Sequence, residues 1–342
     1  MQIKPPERTP TRWRKFKSNK RGFYALIAFM SVFILSMGAD FIANDKPLLV
    51  YFKGGFYFPV VRDYPETTFG GTFKTAADYS DPAVRELIRK DGFFIMPPVP
   101  FSYDTINYGL NEPAPSPPSF ENWLGTDDLG RDVFARLLYG FRFSLLFGLF
   151  LTFFSSVAGI VAGAVQGYFG GRADLFAQRF LEIWGNLPQL FILILVSSVI
   201  APSFWTLLSV LMLFSWTALV PVVRAEFLRA RNFDYVKAAY ALGVPNTVII
   251  FRHVFPNAMV ATLTYLPFIL SGAVVSLTAL DFLGFGLPPG EPSLGELVRQ
   301  GKDNLQAPWL AASAFVSLAF VLTSLVFIGE AVRDAFDSRR TP

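Results

Sequence analysis

The hydrophobic pattern of this chain changes on the scale of whole bilayer crossings. Apolar runs at 23–43, 143–168, 175–200, 204–223, 259–280 and 309–328 are each near the roughly 20 residues that an α-helix needs to cross a hydrocarbon core. They predict an all-α polytopic membrane protein with six transmembrane helices. The first run ends near Ala39 and Ala43, small residues that a signal peptidase could use, but its length favours a retained helix. Pro188 interrupts the third run, and Pro267 can kink the fifth. The second run carries Gly159, Gly163 and Gly167 at i, i+4 and i+8, a ladder that lets another helix pack closely.

Between the fourth and fifth runs lies a polar island, residues 232–257, NFDYVKAAYALGVPNTVIIFRHVFPN. Asp234 can cap a short helix on which Tyr235, Ala238, Ala239 and Leu242 form one apolar stripe. Gly243 ends it, because glycine tolerates the left-handed conformation that commonly closes a helix. Pro245 suits the first turn of a second helix with Val248, Phe251 and Phe255 on one face, which Pro256 should end. With Arg229, Arg231, Lys237 and Arg252 around it, this helix pair has an apolar stripe that a partner protein would explain.

Residues 44–142 differ in kind, with mixed charge and many Pro, Gly, Tyr and Phe residues. Turn residues at Lys53-Gly54-Gly55, Phe69-Gly70-Gly71 and Asp91-Gly92 suggest a small cap with some strand, 81–90 reads as a helix, and 113–118 as a stiff connector. The expected divisions are a basic tail (1–22), a first helix (23–43), the cap and connector (44–142), a five-helix core (143–330) containing the loop 224–257, and a second tail (331–342). The short loops that this threading places inside carry most of the Lys and Arg, which puts both termini in the cytoplasm and the cap outside.

Composition narrows the chemistry. With 52% hydrophobic residues and a net charge of +4, the basic excess is a topology signal and not a nucleic-acid signal. There is no cysteine and one histidine, His253, so a disulfide framework, a thiolate metal site and a histidine-rich metal site are excluded. No catalytic constellation stands out. No G-x-x-x-x-G-K-[ST] occurs, so nucleotide binding by that loop must come from another polypeptide. Glu182 reads as an interfacial partner for Arg179 or Arg172 ahead of a catalytic acid, and Asp281 as a solvated residue at a helix end ahead of a gate or substrate-facing acid.

Three stretches carry a resemblance. The island is similar to the cytoplasmic loop of ABC-importer permeases whose pattern is Glu-Ala-Ala, three residues, Gly, nine residues, Ile, one residue, Leu-Pro. Lys237, Ala238, Ala239, Gly243 and Pro256 fall in register, while Lys237, His253 and Phe255 replace the usual Glu, Ile and Leu. The segment GTDDLGRDVFARLLYG, with Gly125, Thr126, Asp127, Asp128, Gly130, Arg131 and Asp132, resembles the one before the second span of dipeptide and oligopeptide permeases. Thr126 or Asp127 can cap the helix that follows, with Arg131, Asp132 and Arg136 at the membrane surface, where structural pairing and anchoring come ahead of direct substrate contact. DFLGFGL, from Asp281, resembles the stretch after the fifth span, with Asp281 in place of a small residue, and PSLGE at 292–296 lacks the Trp that relatives commonly place before that Gly. The long cap makes the chain most similar to the Yej-type branch of microcin C and oligopeptide importers.

The resemblance implies a type I (MetI-like) permease fold and one of two non-identical permease halves in a bacterial inner membrane. It implies a second homologous permease subunit, cytoplasmic ABC ATPase subunits or a fused ATPase holding ATP and Mg, a periplasmic solute-binding protein, a peptide substrate and surrounding lipid. The chain itself would bind no cofactor or metal and would not be an enzyme. The ATPase-coupling loop would comprise Asp234, Tyr235, Lys237, Ala238, Ala239, Leu242, Gly243, Phe251, Arg252, His253 and Pro256. Two other classes compete: an ion-driven secondary transporter, for which neither midplane carboxylates nor inverted repeats are visible, and an assembly factor or enzyme working through the cap.

Overall fold

A computed structural model describes residues 12–288 and 290–336. Much of the basic N-terminal tail, Arg339 and Arg340 therefore lie outside the described residues. In chain order the elements begin with α1 (Arg12–Ser18), α2 (Lys20–Met37), α3 (Ala39–Ile42), β1 (Leu49–Phe52), β2 (Gly55–Tyr57), α4 (Pro82–Asp91) and β3 (Gly92–Ile95). Then come α5 (Val133–Phe169), α6 (Gly171–Gly185), α7 (Gln189–Val199), α8 (Phe204–Ser215), α9 (Val220–Ala230), α10 (Asp234–Ala241) and α11 (Asn246–Val248). The chain closes with α12 (Phe255–Leu283), α13 (Leu294–Asp303) and α14 (Pro308–Phe336).

Among the described residues five helical stretches are long and apolar enough to cross a membrane, and a sixth crossing results if α6 and α7, bent by 66° across their break, form one broken span. The bend falls where Pro188 denies the helix a backbone donor. α5 starts at Val133, well before the expected 143, so the second crossing helix extends into the signature segment. α12 runs through Pro267 without ending.

Two compact units divide the chain within α2, α5, α12 and α14. One comprises Ser31–Leu145 and Leu277–Ala319. It holds the cap, a three-stranded antiparallel sheet in the order β2-β1-β3 with α4 beside it. The β1–β2 hairpin turns at Lys53 and Gly54, both at positive φ, and Asp81 caps α4 by accepting the Ala83 N–H. With no cysteine to staple it, the cap has its own core, with Val50, Phe52, Phe69, Tyr79, Val84 and Ile88 buried together. Edge-to-face contacts of Phe69 with Phe52, Tyr57 and Tyr79 hold it. In the same unit Val133 and Leu137 of α5 pack with Leu294 and Leu297 of α13 and Leu310 of α14.

The other unit comprises Met1–Met30, Leu146–Ser276 and Phe320–Pro342. Its packing shows why α5 carries glycines at every fourth position. A Cβ on Gly159 would stand 2.6 Å from the Trp216 carbonyl oxygen, one on Gly163 2.8 Å from that of Val220, and one on Gly167 2.6 Å from that of Arg224. The α8–α9 backbone thus runs against the ladder, closer than any side chain would permit.

Candidate functional site: a helical-hairpin platform and a buried ion network

The polar island folds as a hairpin whose tip is Gly243. Phe233, in an extended conformation, takes the N-cap position of α10, so Asp234 is the first helical residue and makes no capping bond, contrary to the expected cap. Its carboxylate still lies where the helix dipole favours negative charge. At the other end Gly243 has φ +76, its N–H reaches the Tyr240 carbonyl at 3.0 Å, and the Val244 N–H reaches that of Ala239 at 3.1 Å. This is a Schellman closure, which requires a left-handed residue at that place.

The expected single stripe on α10 divides into two faces. Ala239 and Val236 are buried against Val223, Phe227, Ile249 and Val254. Tyr235, Lys237, Ala238, Tyr240 and Leu242 are exposed, Leu242 by 83%. On the second arm Phe251 and Arg252 are also exposed, and His253 is half-buried. That arm does not stop at Pro256. After α11 the backbone widens into a π-helical turn over Ile249–Val254 and enters α12 directly. The wider turn accommodates a proline that lacks an N–H and would crowd the carbonyl four residues back in a regular helix.

Cross-bonds brace the platform. The Asn257 amide donates to the Tyr235 hydroxyl at 2.9 Å, and that hydroxyl reaches the His253 carbonyl at 3.3 Å. Tyr168, at the end of α5, donates to Asn246 Oδ1 at 2.7 Å, and Arg231 donates to the Tyr168 carbonyl at 3.1 Å. Arg224 grips Asp174 in the same unit. Arg179 pairs with Glu182 at 2.5 Å on an exposed helix face, as expected for that acid. What results is a cross-braced base with an exposed apolar tip of Tyr240, Leu242 and Phe251.

The signature segment folds around charge. Asp127, fully buried, accepts from Arg131 at 2.7 Å and from the backbone N–H groups of Leu129 and Arg131. Arg136, also fully buried, reaches Glu296 at 2.5 Å and Asp127 at 3.4 Å, and donates to the carbonyls of Tyr103, Gly290 and Glu291. Neither Thr126 nor Asp127 caps α5. Asp132 does so, accepting the Ala135 N–H at 2.7 Å and the Asn122 amide at 2.8 Å. Burial pushes the Asp132 carboxyl up despite these bonds, and burial, with Asp127 adjacent, pushes up that of the more exposed Asp128. Thr126 is buried and accepts the Ser116 N–H, and the Trp309 indole donates to its carbonyl at 3.2 Å. Gly125 and Gly130 take positive φ, Gly125 directly against Trp309.

Asp281 is not solvated. It is buried, accepts the Leu287 N–H at 2.7 Å and the Ser293 hydroxyl, and the DFLGFG turn closes over it. Sequence reasoning missed Glu296 and Asp174. Ser293 and Glu296 have capping-box spacing, and Ser293 does cap α13, but Glu296 turns to Arg136.

The sequence profile described as "Binding-protein-dependent transport system inner membrane component" matches residues 155–342. This chain belongs to that family. The permease is 57% identical over 329 residues to the inner membrane ABC transporter permease protein YejE of Escherichia coli, covering 96% of each chain. It is 52% identical to the peptidoglycan transport system permease protein YejE of Agrobacterium fabrum, over 97% of this chain and 93% of that one. The oligopeptide transport system permease protein OppC of Haemophilus influenzae is 32% identical over 70% of this chain and 77% of its own. A chain of the MetNI methionine ABC transporter in an inward-facing crystal form superposes with TM-score 0.48 at 16% identity, over 58% of this permease and 96% of that chain. The permease is thus a multi-pass inner-membrane subunit of an ABC importer, of a family served by partner ATPases, a binding protein and a second permease. It is not itself the ATP-hydrolysing enzyme.

Proposed function

We propose that this permease forms half of the translocation pathway of an ATP-driven importer of oligopeptides or peptide-bearing compounds, microcin C and peptidoglycan-derived peptides among them. The observation that supports the cargo class is the end-to-end identity, cap included, to two YejE permeases, one of them named for peptidoglycan transport. The other half is a homologous permease, cargo arrives on a periplasmic binding protein, and both termini and the platform face the cytoplasm. ATP and Mg sit on the ATPase partner.

The mechanism follows from the platform. Closure of the ATPase dimer acts differently on the two transport states, as any energy source that shifts their populations must. The tip around Gly243 docks on the ATPase through Tyr240, Leu242 and Phe251, and the continuous π-turn and α12 carry its displacement into the fifth span. Alternating access is then rigid-body motion of this lever.

The test is uptake of labelled peptide, and of a labelled peptidoglycan peptide, into proteoliposomes holding the intact complex. ATP-dependent uptake is expected, and Gly243→Trp should lower it while the complex still partly assembles. Normal uptake by Gly243→Trp sinks the coupling assignment, and uptake of neither cargo sinks the substrate class.

A further inference from the structure

The cap carries an outer face that its own core does not use. Strand alternation sends Val50 and Phe52 inward, onto Val84 and Ile88 of α4. The opposite side holds Tyr51, flanked by Phe56 on β2 and Phe93 on β3, and Leu49, paired with Ile95. Tyr51 meets Phe56 at 5.2 Å and stacks on Phe93 at 5.5 Å between ring centroids. Phe58, two residues after Phe56, extends the face. Phe56 is 63% exposed, and Phe58, Phe93 and Ile95 are each about half exposed. None of the three strands contains a charged residue. A contiguous apolar patch of this kind marks an interaction surface.

The chain path says which surface. The cap leaves and rejoins the end of the first span at one point, where Ala43 bridges Val99 and the Asn44 N–H donates to the Val99 carbonyl. Ile95 lies four residues from that bridge, so at about 3.3 Å per residue it stands within roughly 13 Å of the span's end. Along the strands the row Leu49–Ile95 is therefore nearest the end of the span, the row Phe56–Tyr51–Phe93 comes next, and the hairpin tip ends in the Lys53–Asp91 ion pair. Charge brackets the patch, with the Lys46–Asp63 pair beside the end of the span and the Lys53–Asp91 pair at the hairpin tip, and aromatic rings between charged ends match an interfacial anchor, since such rings partition to the headgroup level.

We infer that the outer face of the cap sheet is a membrane-surface anchor, seating Phe56, Phe58, Phe93 and Ile95 in the lipid headgroup region of the leaflet beside the first span. The cap lies against the bilayer by this face, and α4, on its other side, faces water.

Because the chain has no cysteine, single reporters can be placed cleanly. Phe56→Cys, Ile95→Cys and, as a control on the exposed face of α4, Glu86→Cys are labelled with an environment-sensitive fluorophore in the intact complex in nanodiscs. Spin-labelled lipid is expected to quench the labels at 56 and 95 several-fold more than the label at 86, and aqueous iodide should show the reverse order. Two positions are used so that one disturbed cap does not decide the result. Iodide quenching at 56 and 95 equal to that at 86 overturns the inference. Shielding of both from lipid and from iodide alike also overturns it, and assigns the face to a protein such as the binding protein or the second permease.

Discussion

Arg224 holds Asp174 in a fork, with Nε 2.6 Å from one carboxylate oxygen and Nη2 2.6 Å from the other. The pair ties the start of α6 to α9, where the Arg224 backbone lies against Gly163 and Gly167 of α5. The planar guanidinium is the only side chain that satisfies both oxygens at once. Arg224→Lys is therefore expected to behave almost like Arg224→Gln, each costing about 1.5–3 kcal/mol. Thermal unfolding in detergent measures it, and full rescue by lysine would remove the geometric argument.

Arg136 is the centre of the second network. Arg136→Met leaves Glu296 without its main partner in a buried site, for which a loss of about 3–5 kcal/mol is expected. Adding Glu296→Met to Arg136→Met should restore part of that loss, because Asp127 keeps Arg131. Unfolding midpoints of the two variants decide the point, and a double variant no better than the single one contradicts it.

Close approach, not flexibility, explains Gly163. Its would-be Cβ meets the Val220 carbonyl and Val223 at 2.8 Å, so Gly163→Ala should cost about 1–3 kcal/mol. Gly272, within α12, has nothing within 4 Å, and Gly272→Ala should instead gain about 0.5–1 kcal/mol. Opposite signs of the two melting shifts are the expected result.

Burial pushes the Asp45 carboxyl up, further aided by Asp104, although the Thr105 hydroxyl donates to it. A carboxyl whose folded value lies above its unfolded value weakens the fold at neutral pH. That penalty disappears as pH falls through the raised value towards the ordinary carboxylate value of about 4. Asp45→Asn is expected to raise the unfolding temperature at neutral pH, with the advantage shrinking to nothing in acid. A constant difference across the pH range argues against this account.

Local physics was readable in the linear chain. Six apolar runs, the break at Pro188, the helix over 81–90 and the left-handed stop at Gly243 all follow from hydropathy and from dihedral preferences that neighbouring residues determine. The glycine ladder was visible as spacing, though not the backbone it admits. Tertiary structure alone decided the rest. Glu296 reaches Arg136 across 160 residues, and no local pattern specifies a partner at that separation. Asp281 looked like a solvated helix end until the turn after it and Ser293 closed around its carboxylate. Ala239 and Leu242 lie three apart on one helical stripe, yet α9 and the π-turn cover the first and leave the second open. Pro256 reads as a helix stop and is carried through only because the turn before it widens. Periodicity records which residues share a side of an element, whereas burial and ion pairing depend on which distant element arrives at that side.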